Sequence, residues 1–175
     1  MKNTLVAIFW LMLCSVAYGD NYNWNNLDIE LNDEGAGSSP NLSLSAHIGG
    51  NGFARASLLH IEHDDIDVEG RFSFVTAGLK KSPYYVEAGF ARLKLCQRPC
   101  EADVGPIVML GATQVGKKIN TKIAIGKVDL LKRHSTIFEA HITYKLNDEL
   151  GLHLSFTDLN YIGEKTTNLG LRFSW

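Results

Sequence analysis

The sequence predicts an all-β chain closed into an antiparallel barrel that crosses a membrane, on three observations. After a short hydrophobic N-terminal stretch, no run of some 18 apolar residues remains to cross a bilayer as a helix. In its place comes a succession of short segments in which apolar residues alternate with polar or small ones, the two-residue period of strands with one greasy face. The last of these, 168–175, runs Asn-Leu-Gly-Leu-Arg-Phe-Ser-Trp, so that Leu169, Leu171, Phe173 and Trp175 share a face. Backbone N–H and C=O groups left unpaired in hydrocarbon are costly, so strands that cross a bilayer must close their sheet on itself.

The N-terminal stretch is read as a secretory signal. Lys2 precedes the apolar run from Leu5 to Leu13, and small and polar residues follow as far as Ala17-Tyr18-Gly19. Such a run is shorter than the roughly 20 residues of a spanning helix. Cleavage after Gly19 divides the chain into a signal peptide, 1–19, and a barrel domain, 20–175. Leu13 stands before Cys14 where a lipidation site has a small residue, so no lipid anchor is expected. Lys2 leaves with the signal, so 16 of 17 Lys plus Arg face all 19 Asp plus Glu, a formal charge of −3. That weak balance gives no electrostatic case for nucleic acid.

Ten strands follow in order: 24–31, 41–48, 53–62, 70–80, 84–95, 105–115, 117–128, 136–146, 149–158 and 167–175. The clearest alternations are Leu27/Ile29/Leu31, Leu42/Leu44/Ala46/Ile48, Ile119/Ile123/Ile125, Phe138/Ala140/Ile142/Tyr144/Leu146 and Leu150/Leu152/Leu154/Phe156. If the segments before Phe53 form an extension outside the wall instead, the count is eight. Ten agrees with spanning strands of roughly 9–11 residues joined by short connections.

The final stretch resembles the C-terminal signal of bacterial outer-membrane β-barrels, matched here by Asn168, Gly170, Phe173 and Trp175. The resemblance implies a closing strand read by the barrel-assembly machinery and ending in the periplasm. Counted backward from it, connections 147–148, 115–117, 81–83 and 49–52 lie on the periplasmic side. Connections 32–40, 63–69, 96–104, 129–135 and 159–166 lie outside, giving short turns within and longer loops without, and both termini are periplasmic. Tyr84, Tyr85, Tyr144 and Trp175 then fall where an interfacial girdle would sit.

Strand parity sends Asp28, Glu30, Ser43, Ser45, His47, Glu87, Asn120, Lys122, Glu139, His141, Lys145, His153, Ser155 and Arg172 inward. Both signs are present, and a buried charge without a partner is expensive, so these groups are expected to pair and fill the bore. Glu139, His141, Lys145, His153 and Arg172, on three consecutive strands, form the expected lumen network. Parity is ambiguous in 53–62 and 70–80, which leaves Arg55 and Arg71 unassigned. Cys96 and Cys100, an even pair in an exported chain, are expected to form a disulfide.

Two constellations invite chemistry. His60, His63, Asp64, Asp65 and Asp67 crowd the second outer loop with nitrogen and oxygen donors suited to a divalent cation; a solvated acidic loop is the plainer reading, and no cofactor is expected. His153 and Ser155, next but one on a strand face with Glu164 beyond, have the makings of an activated serine. This arrangement resembles the lipid A 3-O-deacylase family, small outer-membrane barrels with a His and Ser two apart near the C-terminus and a Glu after them. The family has Asn after the Ser where this chain has Phe156, and its pair faces lipid, the face that Leu152, Leu154 and Phe156 take here.

The whole pattern is similar to the OmpX-like, NspA-like and OmpA transmembrane-domain families. What that implies is a small, monomeric, non-enzymatic integral outer-membrane barrel with a structural, surface-interaction or narrow-pore role, in contact with outer-membrane lipid and lipopolysaccharide. A deacylase is one alternative. A soluble, exported lipocalin-like barrel with its apolar face inward is the other.

Overall fold

A computed structural model of the chain describes residues 22–32, 40–63, 68–96, 99–130, 133–160 and 164–175. They form ten strands: β1 (Asn26–Asn32), β2 (Asn41–Gly49), β3 (Gly52–His63), β4 (Val68–Lys81), β5 (Tyr84–Cys96), β6 (Cys100–Val115), β7 (Ile119–Leu130), β8 (Arg133–Lys145), β9 (Leu150–Leu159) and β10 (Glu164–Ser174). Each pairs antiparallel with its successor, and β1 pairs with β10 from Asn26↔Ser174 to Asn32↔Asn168, which closes the barrel. The eight-strand alternative fails because β1 and β2 are hydrogen-bonded members of the wall, not an extension. The predicted signal, 1–19, lies outside the described residues.

The alternation does what its period requires. Leu31, Val75, Leu79, Phe90, Leu110 and Leu169 are all more than half exposed on the outer wall. Alternate residues on the same strands, such as Glu30, Thr76, Glu87, Met109 and Asn168, are buried inside. An apolar belt running around the whole outer wall is far larger than the patches a soluble monomer shows, and in water each Å² would cost about 25 cal/mol. The lipocalin-like alternative required the opposite parity and is overturned.

Two features of the wall depart from expectation. First, strands extend further toward the loop end than predicted: β6 begins at Cys100 and β10 at Glu164. The connections there shrink to 33–40, 64–67, 97–99, 131–132 and 160–163, so the predicted contrast between short turns and long loops survives only at 33–40. Beyond the apolar belt the outward residues are polar, as with Arg92, Lys94 and Glu101, and an antiparallel ladder with a polar outer face continues into water unhindered. Second, β1 begins at Asn26, and Trp24, predicted to lie in it, turns into the lumen.

Cys96 and Cys100 face each other at the end of the β5–β6 ladder and are joined in a disulfide. So short a closed loop removes little chain entropy, on the order of 2 kcal/mol. Reduction is therefore expected to lower the unfolding midpoint modestly and leave the barrel closed, which urea unfolding with and without reductant checks.

Candidate functional site

The lumen is filled in three tiers. Toward the loop end, Leu59, Phe72, Leu93, Ile107, Val128, Leu130, Ile137 and Leu159 point inward and are buried together. Along their length β4 and β6 carry apolar residues on both faces, which is why parity was ambiguous in β4. At the turn end, Tyr22 and Trp24 enter the bore ahead of β1. The Trp24 ring stacks on Phe53 at 3.7 Å and meets Tyr85 edge-on at 5.0 Å. Phe53 and Tyr85 lean over Gly78 and Gly111, their direct cross-strand partners, where any side chain would collide with the rings. Tyr85 is thus 4 % exposed and belongs to this aromatic plug, not to the predicted girdle, whereas Tyr84, Tyr144 and Trp175 do face outward.

Between the plugs lie the charges. Arg55 donates from Nη2 and Nε to Glu87 at 2.6 and 3.2 Å, and from Nη1 to Glu139 at 2.7 Å. Its guanidinium lies over Phe74 at 4.5 Å, and the Thr76 hydroxyl donates to Glu87 at 2.5 Å. Lys122 Nζ stands 3.9 Å from Glu139. Arg172 forms a fork on Asp28 at 2.6 and 2.7 Å and also donates to the Tyr22 hydroxyl. Charge-assisted, two-pronged pairs of this kind are the strong ones.

A third cluster joins β1, β8, β9 and β10. Across the wall, Glu30 pairs with Gly170, Gly170 with His153, and His153 with Thr143. Gly170 has no side chain, so Glu30 and His153 meet over it, His153 Nε2 lying 3.0 Å from Glu30 Oε1. His153 Nδ1 is 2.8 Å from the Thr143 hydroxyl, and Nε2 is 3.2 Å from His141 Nδ1. Asn41 donates to Asn168, Asn168 to Ser155, and Ser155 to Glu30 Oε2 at 2.9 Å.

Of the expected network, Glu139, His141, His153 and Arg172 are buried in the lumen. Lys145 is not among them: it lines a cavity of about 160 Å³ at the turn end with Asn23, Asn120, Thr143 and Arg172. Arg172 takes Asp28 as its carboxylate. Arg55, unassigned from the sequence, is the cation on Glu139, while Arg71 is exposed on the outer wall. The missed signal was arithmetic: the predicted inward carboxylates Asp28, Glu30, Glu87 and Glu139 outnumber Lys122, Lys145 and Arg172. His47, also predicted inward, is exposed at the β2–β3 turn, where it contacts the Gly50 carbonyl.

The remaining expected sites are placed as follows. His153 and Ser155 share the inner face of β9, yet the hydroxyl donates to Glu30 and its acceptor position takes Asn168, not the imidazole. The side chain of Glu164 lies outside the described residues. Of the loop cluster, Asp64, Asp65 and Asp67 lie outside the described residues, as does the His63 side chain; His60 is partly buried on β3. In the expected assembly signal, Asn168 is fully buried, Gly170 sits under the β1 backbone, and Phe173 and Trp175 face outward.

No protein-family model matches the sequence, and no curated protein matches it. Among solved structures it is similar to a KdgM porin, at 13 % identity over 86 % of this chain and 98 % of that one, with a TM-score of 0.44. It is also similar to the translocator domain of the autotransporter NalP from Neisseria meningitidis, at 10 % identity over 99 % and 96 %, TM-score 0.46. A porin refined at 1.8 Å resolution matches at 14 % identity over 78 % of this chain, TM-score 0.40; the chain spans about half, 51 %, of that porin's length. The strand pairing itself establishes the fold, and no activity follows from these likenesses.

Proposed function

We propose that the chain is a non-enzymatic integral protein of the bacterial outer membrane, a plugged barrel with a structural or surface-interaction role. The observation that carries this reading is the filled bore. An apolar tier, a paired charge tier and an aromatic tier occupy it in succession. The reading includes cleavage of 1–19, both termini in the periplasm, and a monomer bathed in outer-membrane lipid and lipopolysaccharide. It also includes assembly by the barrel machinery through Asn168, Gly170, Phe173 and Trp175. That the Ser155 hydroxyl is committed to Glu30 supports the absence of a serine nucleophile.

The test is threefold. The protein is expected to fractionate with outer membranes and to migrate with heat-modifiable mobility; recovery as a soluble periplasmic species would overturn the reading. In planar bilayers it is expected to give no steady conductance, and a stable unitary current sensitive to substitution of Arg172 would convert the plug into a pore. Purified lipid A is expected to keep its acyl chains with wild type and Ser155→Ala alike; release lost on that substitution would establish the deacylase instead.

A further inference from the structure

We infer that Glu30, His141 and His153 form a binding site for a divalent transition cation of the zinc type inside the lumen. The three side chains come from β1, β8 and β9, all are buried, and each offers one ligand atom within 4.8 Å of the other two. Two of the three separations match a coordination sphere. Ligands at about 2.0–2.1 Å in a tetrahedron are about 3.3 Å apart. Here His141 Nδ1 and His153 Nε2 are 3.2 Å apart, and His153 Nε2 and Glu30 Oε1 are 3.0 Å apart. Two imidazoles and a carboxylate are a donor set suited to Zn²⁺, Ni²⁺, Co²⁺ or Cu²⁺ and poorly suited to Mg²⁺ or Ca²⁺.

Three further observations point at a ligand. Glu30 Oε1 is buried and accepts no hydrogen bond among the described residues, although its partner oxygen Oε2 takes the Ser155 hydroxyl. Among the buried groups, three Lys and Arg side chains, Arg55, Lys122 and Arg172, face four carboxylates, Asp28, Glu30, Glu87 and Glu139, and the group beside Glu30 is an imidazole, His153 at 3.0 Å. Asp28 is held by Arg172, and Glu87 and Glu139 by Arg55 with Lys122 beside Glu139; Glu30 has no Lys or Arg partner among the described residues. A buried carboxylate in that position calls for positive charge, which a divalent ion supplies.

Finally, the outer shell is built. Thr143 holds the far nitrogen of His153, and the chain from Asn41 through Asn168 and Ser155 fixes the far oxygen of Glu30. The turn-end cavity supplies a route, since Thr143 lines it and touches His153. An ion seated there ties β1, β8 and β9 across the glycine gap in β10, so binding stabilises the closed barrel.

The experiment uses the full chain folded in detergent and stripped with a chelator, titrated calorimetrically with Zn²⁺. One ion per barrel is expected, with affinity reduced at least tenfold by Glu30→Gln, His141→Ala or His153→Ala and unchanged by His47→Ala or His134→Ala at the exposed imidazoles. A second measurement needs no substitution. Substoichiometric Cu²⁺ added to the wild-type barrel is expected to broaden the His141 and His153 ring signals in NMR before those of His47, His60 and His134. The inference is overturned if wild type binds no Zn²⁺, if a His141→Ala/His153→Ala barrel of native heat-modifiable mobility binds it equally, or if the exposed histidines broaden first.

Discussion

Arg55→Met is expected to lower the stability of the barrel by about 3–5 kcal/mol, the cost of stripping the partner from a buried ion pair. The argument rests on what is left behind. Arg55 is 2 % exposed and is the hydrogen-bonded cation of both Glu87 and Glu139, so one substitution orphans two carboxylates in a bore walled by Phe74, Met109 and Thr76. Lys122, at 3.9 Å from Glu139, is placed to compensate one of them in part. Arg55→Lys keeps the charge but loses the planar fork that spans both acids, so an intermediate loss is expected. The decisive variant combines Arg55→Met with Glu87→Gln, Glu139→Gln and Lys122→Met, the last because buried Lys122 would otherwise lose its carboxylate. With the carboxylates neutralised along with their cation, much of the lost stability is expected to return, because burying charge is what costs. Urea unfolding in a lipid-like detergent, followed by loss of heat-modifiable mobility, measures all three. A combined variant no more stable than Arg55→Met would show that Arg55 acts by packing over Phe74 and not by pairing.

That hub marks the boundary of what the sequence discloses. The wall was legible because lipid imposes one rule on every strand: Leu27, Ile29 and Leu31, or Leu150, Leu152 and Leu154, announce their face by period alone. Charge inside β1, β8, β9 and β10 was legible for the same reason, as the polar residues between those leucines had only one other side to occupy. The rule failed where both faces are apolar. Phe72 and Phe74 inside β4 alternate with Val75, Ala77 and Leu79 outside, so nothing in the segment says which set is buried.

Partners were illegible throughout, since pairing across a bore depends on barrel radius and strand stagger. Arg55 meets Glu139 at a sequence separation of 84 residues and Ser155 meets Glu30 at 125. No local spacing encodes either. The His153-x-Ser155 spacing set two groups on one face of β9, but nothing local to it showed that both would meet Glu30 of β1.

Gly170→Ala is the second large effect, and two rules predict opposite signs for it. By strand propensity alone, a glycine in the middle of a strand weakens it, and alanine should gain. Local geometry reverses that. A Cβ at position 170 would stand 2.0 Å from the Ile29 carbonyl oxygen and 2.6 Å from the Glu30 Cα, and both are backbone atoms that cannot swing aside. The β1–β10 ladder would have to part there, and it is the seam at which the first and last strands close the barrel. A parted seam exposes unpaired N–H and C=O groups to hydrocarbon, so the loss exceeds an ordinary overpacking cost of about 1–3 kcal/mol and falls on assembly as well as stability. The folded, heat-modifiable fraction is expected to drop sharply with Gly170→Ala and to vanish with Gly170→Val. Thr167→Ala, on the outward face of the same strand, should be nearly silent. The same added methyl group would wedge apart Glu30 and His153, which meet only because nothing projects between them. A Gly170→Ala barrel that assembled and unfolded like wild type would mean that the seam has slack, and that the glycine does not set the approach of β1 to β10.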